Sequence, residues 1–331
     1  MKKKIALVTG GYSGEAVISY KSATTIYNHL DKDEFDVYKI DINPQGWNYE
    51  LDGKKFEIDK NDFSLNIDDH KIKFDAVFIG MHGTPGEDGK LQGYFDMLGI
   101  PYTSCNAASS ALTFNKRYTV AVAAMAGIHV AKSQHLFKHT KYELDFILSA
   151  LQLPLFIKPN NGGSSIGMSK VTEASQLQSA LDKAFKEDDQ VLVEEMITGR
   201  EFTVGVFKSA GEINVLPITE IITQKEFFDF EAKYQGKSSE ITPAQIDEQW
   251  KIKIESVARK IYQVFNCSGV VRIDFIYDAN NQAPYMLEIN TVPGQSEASV
   301  IPQQVRAMGW ELKDFYGKLA KEALTSPYTT I

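Results

Sequence analysis

The segment 270–294 constrains the possible fold more strongly than any other part of the chain. Residues 270–276 and 285–289 are mostly β-branched, aromatic or aliphatic, which is typical of β-strands. Between them lies the polar stretch 278–281, whose Asp and Asn residues favour a turn. The pattern therefore predicts two strands that pair across this turn.

Four polar side chains interrupt these apolar strands. Side chains two apart on a strand share a face, so Arg272 projects with Asp274, and Glu288 projects with Asn290. If the strands pair, three oxygen ligands and one guanidinium converge on one patch. Hard oxygen ligands of this kind suit Mg²⁺, which usually keeps waters and bridges to phosphates. A pair of surface salt bridges on an ordinary hairpin is the alternative interpretation.

Composition excludes several classes of protein. The chain has 331 residues, enough for two or three domains, and 43% of them are hydrophobic. Its net charge of −8 argues against sequence-independent nucleic-acid binding, which needs a basic face. Cys105 and Cys267 are too few for a disulfide framework, and no apolar window approaches the roughly 18 residues of a membrane span. We expect a soluble cytoplasmic protein with reduced thiols.

The first hundred residues alternate between strand and helix patterns, which predicts parallel βαβ units. The predicted elements are strands at 5–8, 37–40 and 76–79 and a helix at 14–30. Ligands of such sheets bind at the carboxyl ends of the strands. The glycine-rich segments 10–15 and 82–89 follow two of these strands, so we expect both at one functional edge.

The rest of the chain mixes helices with shorter strands. The predicted elements are helices at 107–126, 173–186 and 244–265, and strands at 155–158, 191–195, 201–207 and 213–222. Residues 223–243 form a polar, irregular stretch whose length is typical of lids or disordered segments. We expect three domains, at 1–104, 105–194 and 195–331.

A glycine-rich loop at 158–167 directly follows a predicted strand. Glycine allows positive φ and close approach, so such a loop can turn its N–H groups towards phosphate oxygens, and Lys158 would add a positive charge. The chain contains no Walker A motif and no G-x-G-x-x-G, so dinucleotide binding has no support. The alternative is a tight hairpin turn that requires glycine.

A second glycine-punctuated loop, H-G-x-x-G-E-D-G-x-L-Q-G at 82–93, leads into a predicted helix. Its His, Glu and Asp side chains are candidates to contact a small zwitterion. The start of the predicted helix would in addition favour the carboxylate of that ligand. A zinc protease has no support, since the chain lacks H-E-x-x-H, and a serine hydrolase has none, since it lacks G-x-S-x-G.

With these motifs, the chain resembles the D-alanine–D-alanine ligases, which are members of the ATP-grasp superfamily. The loop at 82–93 looks like the first signature of that family, and R-I-D-F…L-E-I-N-T-x-P-G at 272–294 looks like the second. The E-A-K-Y segment at 231–234 also fits, and the resemblance extends from Ile5 to the C-terminal helix. It implies an α/β and α+β ATP-grasp fold of three domains, with a parallel-sheet N-terminal domain and ATP held between the central and C-terminal domains.

The resemblance implies contacts to ATP and to metal ions. Two lysines would contact the phosphates, the strand at 194–197 would hold adenine through its backbone, and a glutamate would bind the ribose. These contacts are Lys116, Lys158, Ser164, Ser165, Glu194, Glu195, Ile197, Glu201 and Lys233. Two Mg²⁺ ions, with Mn²⁺ as an alternative, would be held by Asp274, Glu288 and Asn290.

The resemblance also implies two amino-acid sites. Glu15 would bind the ammonium of the first D-alanine, with His82 nearby, and Ser299 would bind the carboxylate of the second. Arg272 and the Gly294 N–H would stabilise the oxyanion of a tetrahedral intermediate. Hydrogen bonds would link the N-terminal domain, the phosphate loop and the lid through Glu15, Ser164 and Tyr234.

Several of these residues also have a purely structural interpretation. Glu15 would favour the first helical turn by its charge, Lys116 would be a solvated helix lysine, and Ser299 would cap the helix that follows it. The chain departs from the family at Ala16-Val17, where a charged pair is common. It departs again at Glu195, beside adenine, where some members have lysine.

The implied function is ATP-dependent ligation of two D-alanines through a D-alanyl phosphate, for peptidoglycan precursor synthesis. One alternative is an ATP-grasp ligase for another amino or hydroxy acid, such as one that makes D-alanyl-D-lactate. Tyr234 favours the dipeptide, because the related D-lactate ligases often have phenylalanine there. The other alternative is a nucleotide-binding regulatory protein without turnover. We expect a homodimer with no nucleic-acid or membrane partner.

Overall fold

The computed structural model describes residues 1–161, 166–223 and 238–325. These residues form three β-sheets with helices packed against them, in agreement with the predicted α/β and α+β class. No helix in the described ranges is long and apolar enough to cross a membrane. The division into three domains stays a prediction.

The described residues contain both strands and helices, which are numbered in chain order. The strands are β1 (Lys3–Gly10), β2 (Phe35–Asn43), β3 (Gly46–Leu51), β4 (Lys54–Asp59), β5 (Ser64–Ile67), β6 (His70–Ile72), β7 (Ala76–Ile79), β8 (Ser133–Phe137), β9 (Leu155–Pro159), β10 (Ser169–Val171), β11 (Gln190–Glu195), β12 (Arg200–Ser209), β13 (Glu212–Val215), β14 (Thr219–Thr223), β15 (Ser238–Ile241), β16 (Val270–Asp278) and β17 (Ala283–Asn290). The helices are α1 (Ala16–His29), α2 (Lys90–Leu98), α3 (Ala107–Phe114), α4 (Lys116–Met125), α5 (Leu144–Ala150), α6 (Leu177–Glu187), α7 (Glu248–Val264), α8 (Val300–Ala307) and α9 (Leu312–Thr325).

The first sheet has the strand order β6-β5-β4-β3-β2-β1-β7. The predicted parallel strands are present, since β1 is parallel to β2 and to β7. The sheet is larger and mixed, however, because β2 to β6 continue as antiparallel hairpins that the sequence analysis missed. A signal was available at Asp52-Gly53, a hairpin dipeptide in which both residues have positive φ, at 51° and 75°.

The second sheet has the order β10-β9-β11-β8 and is antiparallel throughout its described strands. One face packs against α6 through a buried cluster that includes Leu155, Ile157 and Leu181. Because side chains alternate along a strand, Lys158 points to the opposite face. The charged residues of this sheet are therefore kept apart from its apolar core.

The third sheet has the order β15-β14-β12-β16-β17, with β13 also paired to β12. Strands β16 and β17 are antiparallel, with Arg272 opposite Asn290 and Asp274 opposite Glu288. The predicted hairpin is thereby confirmed. Helix α7 covers the apolar face of this sheet, so the polar side chains are left on the other face.

The helix predicted at 107–126 is divided in two, which corrects that prediction. Asn115 has an extended backbone (φ −95°, ψ 105°), and its side chain accepts the Tyr118 N–H at 3.1 Å. Short polar side chains compete with the helix in this way and favour N-cap positions. Lys116 is consequently the first residue of α4 rather than an interior helix residue.

Two further boundaries differ from the predictions. The single strand predicted at 213–222 is two strands, β13 and β14. The helix predicted from 244 begins only at Glu248, because Asp247 caps it by accepting the Gln249 N–H at 2.7 Å. At the second boundary the side-chain cap overrides the apolar periodicity of the sequence.

Gly269 lies directly before β16 and packs closely against Thr103, which lies in the segment between α2 and α3. Its φ is +64°, and a Cβ at this position would lie 2.0 Å from the Thr103 carbonyl oxygen. Its own carbonyl accepts the buried Tyr262 hydroxyl at 2.8 Å. The strand that carries Arg272 and Asp274 is thus anchored next to the first sheet by a residue that has to be glycine.

We expect Gly269→Ala to destabilise the fold by several kcal/mol, because it combines positive-φ strain with a backbone clash. Gly211→Ala is the matched control, since its φ is +81° but nothing lies within 4 Å of a Cβ there. Strain alone should cost the control about 1–2 kcal/mol. Urea unfolding of both variants measures the difference, and equal losses of stability would contradict the proposed contact with Thr103.

Candidate active site

A cleft of about 330 Å³ brings together segments that are far apart in the chain. It lies between the start of α1, the loop after β7, the start of α4, strands β12, β16 and β17, and the start of α8. The predicted site residues that line it are Glu15, His82, Lys116, Glu201, Arg272, Asp274, Glu288, Asn290, Gly294 and Ser299. Most of the site residues chosen from the sequence therefore meet in one place.

The carboxylate of Asp274 is the most constrained group in the cleft. It is 8% exposed and accepts two bonds from Arg272, at 2.8 and 2.7 Å. The Thr203 hydroxyl donates to it at 2.5 Å, and the Asn290 amide approaches it at 3.4 Å. Arg272 also lies 3.9 Å from Glu288. The arginine thus spans both carboxylates of the hairpin.

The donor set of the hairpin fits a hard divalent cation. Asp274 and Glu288 are directly opposite each other on paired strands, an arrangement that is unfavourable for like charges. Arg272 offsets part of this repulsion. Two carboxylates and the Asn290 amide supply the oxygen ligands that Mg²⁺ prefers. No group of three or more His, Cys, Asp and Glu ligands occurs within the described ranges, so the amide is needed to complete the set.

Glu87, in the loop after β7, faces the same cleft beside Glu15. It accepts the Gly83 N–H at 2.6 Å and the Val292 N–H at 3.3 Å. Burial, followed by repulsion from Glu15, raises the pKa of Glu87 to about 8. Glu15 stands at the N-cap position of α1 but makes no capping bond with its side chain. Its carboxylate therefore remains directed at the loop, where a Cβ on Gly83 would lie 2.6 Å from it.

His82 ties three segments together through a buried chain of hydrogen bonds. Its Nδ1–H donates to the Val292 carbonyl at 2.7 Å, which leaves Nε2 to accept from the Ser22 hydroxyl at 2.9 Å. Ser22 in turn accepts the Gln295 N–H at 3.0 Å. Burial lowers the pKa of His82 to about 4, so the imidazole is neutral. Both of its nitrogens are used inside the protein.

Ser299 and Gly294 lie next to each other at the start of α8. Ser299 occupies the N-cap position, yet its side chain makes no capping bond and instead pairs with Ser296 at 2.7 Å. The capping interpretation of this serine therefore fails for its hydroxyl. A Cβ at Gly294 would lie 2.9 Å from the Ser299 oxygen, so glycine is needed for the two residues to approach.

The second sheet contributes an ion pair near the cleft. Lys158 on β9 and Glu194 on β11 lie 2.5 Å apart, and both side chains are largely buried. Burial disfavours the charge on Lys158, but the carboxylates of Glu194, Glu288 and Glu201 together outweigh it and raise the pKa of Lys158. The backbone N–H of Lys116 donates to Asn160 at 3.1 Å, which fixes the start of α4 beside the glycine-rich loop.

The segment 194–197, at the end of β11, is held by hydrogen bonds of Glu195. Glu195 accepts the Gln152 N–H at 2.8 Å, and its backbone N–H donates to the Lys132 carbonyl at 2.9 Å. Ile197 follows it and is half-buried. The remaining predicted site residues lie outside the described residues, and these are Ser164, Ser165, Lys233 and Tyr234.

Thr203 lies in the site but was not among the site residues predicted from the sequence. Thr203 on β12 lies directly opposite Asp274 on β16, and its hydroxyl is the short donor to that carboxylate. A signal existed, because Glu201 and Thr203 are polar residues two apart in an otherwise apolar strand and therefore share a face. The order of the strands in the sheet was needed to show which face that is.

Two family sequence models match this chain. The model described as "D-ala D-ala ligase N-terminus" matches residues 4–105, and "D-ala D-ala ligase C-terminus" matches residues 116–321. The D-alanine--D-alanine ligase of Parabacteroides distasonis is 45% identical over 99% of this chain and 100% of its own length.

Solved structures of similar proteins share the fold over nearly the whole chain. VanG D-Ala:D-Ser ligase from Enterococcus faecalis has a TM-score of 0.86 at 31% identity, covering 97% of this chain and 99% of its own. D-alanine--D-Alanine Ligase from Bacillus anthracis complexed with ATP has a TM-score of 0.76 at 27% identity, covering 97% and 96% respectively.

The neutral, buried state of His82 predicts how stability depends on pH. The unfolded chain takes up a proton near pH 6.5, whereas folded His82 does so only near pH 4. Stability from this group is therefore present above pH 6.5 and is lost as the pH falls towards 4, at up to about 1.4 kcal/mol per pH unit. His82→Asn retains a donor for Val292 but lacks the titration. Urea unfolding at pH 5 and pH 7 should show a smaller loss for the variant, and equal losses would contradict the buried neutral histidine.

Proposed function

Because the chain belongs to the D-alanine–D-alanine ligase family, we propose that it joins two D-alanine molecules into D-alanyl-D-alanine while ATP is converted to ADP and phosphate. The observation that carries the proposal is the convergence in one cleft of the Arg272–Asp274 pair with Glu15 and Ser299. The pair suits phosphate and metal chemistry, and the other two residues suit the charged ends of amino acids.

The nucleotide would lie between the second and third sheets. Lys116 and Lys158 would contact the phosphates, since one lines the cleft and the other is held charged by Glu194. Glu201 would bind the ribose, and the strand at 194–197 would bind adenine through its backbone. The proposed nucleotide contacts outside the described residues are Ser164, Ser165 and Lys233. Tyr234, which also lies outside them, would instead link the lid to Glu15 and Ser164 by hydrogen bonds.

Asp274, Glu288 and Asn290 would hold Mg²⁺, with two ions proposed and Mn²⁺ as the alternative. When bound, these ions offset the negative charge of the β- and γ-phosphates. Thr203 and Arg272 orient Asp274 in advance through three hydrogen bonds. The carboxylate therefore pays little conformational entropy when it takes up a ligand.

The first proposed step activates the first D-alanine. A carboxylate is a poor electrophile, so one of its oxygens takes the γ-phosphoryl group of ATP, which gives D-alanyl phosphate and ADP. Glu15 would bind the ammonium of this D-alanine. Glu87 is neutral at pH 7, because its pKa is about 8.

The second proposed step forms the peptide bond. The amine of the second D-alanine attacks the acyl carbon and the new C–N bond forms. The C–O bond between the acyl carbon and phosphate then breaks, and the departing inorganic phosphate takes up the proton that the amine loses. Arg272 and the Gly294 N–H would stabilise the oxyanion of the tetrahedral intermediate. Ser299 would bind the carboxylate of the second D-alanine, because its hydroxyl is not used to cap α8.

We further propose a setting for this reaction. The dipeptide would serve peptidoglycan precursor synthesis in the cytoplasm, and the enzyme would work as a homodimer. Light scattering after size-exclusion chromatography measures the oligomeric state directly. A mass of one chain at micromolar concentration would contradict the dimer without affecting the proposed reaction.

The activity is tested by ADP release with ATP and Mg²⁺ in the presence of D-alanine, L-alanine, D-serine or D-lactate, with products identified by mass. We expect release with D-alanine, the mass of the dipeptide and no release with L-alanine. Mixed products at neutral pH when D-serine or D-lactate competes with D-alanine would favour a ligase for another second substrate. ATP binding without ADP release in every mixture would favour a regulatory protein.

Arg272→Ala should lower kcat by roughly 10²–10³, because it removes a donor to the oxyanion. Lys313→Ala is the control, since it removes an exposed cation paired with Asp31 outside the cleft. Calorimetric titration with a non-hydrolysable ATP analogue should show that both variants still bind nucleotide. A kcat for Arg272→Ala close to that of the unmodified chain would contradict the oxyanion role.

A further inference from the structure

Strand β12 changes its partner along one edge. Residues 201–203 pair with β14 and residues 206–209 pair with β13, so the ladder is interrupted around Gly205. The fully buried side chain of Gln304, on α8, fills this interruption. Its Oε1 accepts the Gly205 N–H at 3.0 Å, and its Nε2 donates to the Thr203 carbonyl at 3.0 Å. The side-chain amide thus supplies two bonds that a neighbouring strand residue would otherwise make.

Helix α8 packs against β12 with almost no space at this point. A Cβ at Gly205 would lie 2.7 Å from Gln304 Oε1 and 2.7 Å from Ile301 Cδ1. Ile301 is fully buried, as is Gln304. Because neither side chain can move without leaving buried polar groups unpaired or opening a void, α8 is fixed in one position against the strand.

Both elements held by Gln304 lead into the cleft. On the strand, Thr203 uses its carbonyl to accept from Gln304 and its hydroxyl to donate to Asp274 at 2.5 Å. On the helix, Ser299 immediately precedes the first residue of α8 and lies about one and a half turns before Gln304. A continuous set of contacts therefore connects Asp274 to Ser299.

We propose that Gln304 is a positioning residue that sets the distance between the metal ligand Asp274 and Ser299, which receives the second substrate. The inference rests on the proposed function, because it gives Asp274 and Ser299 those roles. Gln304 does not line the cleft and is not a proposed ligand contact. It acts on the site through Thr203 on one side and through α8 on the other. Without its amide, α8 and β12 would shift to satisfy the exposed Gly205 N–H and Thr203 carbonyl.

The test uses Gln304→Met, which keeps the length of the side chain and removes its three hydrogen bonds, to the Gly205 N–H, the Thr203 carbonyl and the Thr219 hydroxyl. Gln304→Glu is the second variant, because it keeps an acceptor for Gly205 and loses the donor to Thr203. Ser64→Ala is the control for stability, since it also removes a hydrogen bond of a fully buried side chain, here from β5 of the first sheet to Asp62, and lies outside the cleft. Initial rates with ATP, D-alanine and Mn²⁺ varied in turn, while the other two are held at fixed saturating concentrations, give separate constants for ATP, for each D-alanine site and for the metal.

We expect both Gln304 variants to raise the KM of the second D-alanine and the Mn²⁺ activation constant about tenfold or more, with the KM of ATP and of the first D-alanine within about twofold. Ser64→Ala should lower Tm and leave these constants unchanged. If the Gln304 variants lower Tm only, as the control does, the positioning role is overturned.

If one of the two Gln304 variants does not fold, the other variant is used for the test. If the unmodified enzyme gives no ligation, the proposed function is contradicted, whatever the Gln304 variants show. Paramagnetic resonance of bound Mn²⁺ then still tests the link from Gln304 to Asp274, because it needs no turnover. An unchanged Mn²⁺ affinity in both variants would overturn the inference independently of activity.

Discussion

The antiparallel register of β16 and β17 is the constraint on which the rest of the site depends. It places Asp274 opposite Glu288 and Arg272 opposite Asn290, all on one face. A slip of one residue would turn every one of these side chains into the core. The slip is prevented because the alternate residues, such as Ile273, are fully buried under α7. The apolar face of the hairpin therefore determines the geometry of its polar face.

The charges of the cleft are balanced by a few specific contacts. Arg272 lies between the two hairpin carboxylates, and Lys158 is paired with Glu194. Glu87 is the exception, because its pKa is raised and it holds its proton near neutral pH. A site that collects so many carboxylates is unfavourable on its own, and it suits ligands that bring ammonium groups and divalent cations.

Two buried polar side chains connect the separate segments that form the cleft. His82 connects α1 to the turn after β17, and Gln304 connects α8 to β12. Each gives a backbone group at its junction a side-chain partner, the Val292 carbonyl in the case of His82 and the Gly205 N–H and Thr203 carbonyl in the case of Gln304. Since a buried donor or acceptor without a partner costs about 1–3 kcal/mol, these contacts favour one relative position of the segments.

Alternation along the strands predicted the hairpin and its four polar side chains, because alternation is a local property. The other site residues that meet in the cleft, such as Glu15, Lys116 and Ser299, were predicted only from the resemblance to the ligase family. The sequence-based predictions missed the division of the helix at Asn115 and the added antiparallel strands β3 to β6, because caps and short half-exposed hairpins leave a weak apolar pattern. The sequence also left the structural interpretations of Lys116 and Ser299 open.

What the sequence determined by itself is which side chains share a face within one element, since that follows from a period of two or of 3.6 residues. Only the tertiary structure decided which elements are neighbours. Thr203 next to Asp274, and Gln304 between Gly205 and Thr203, join residues about 70 and 100 positions apart. No local pattern records such pairings, because they arise from the order of strands in the sheet and from the packing of α8 against it.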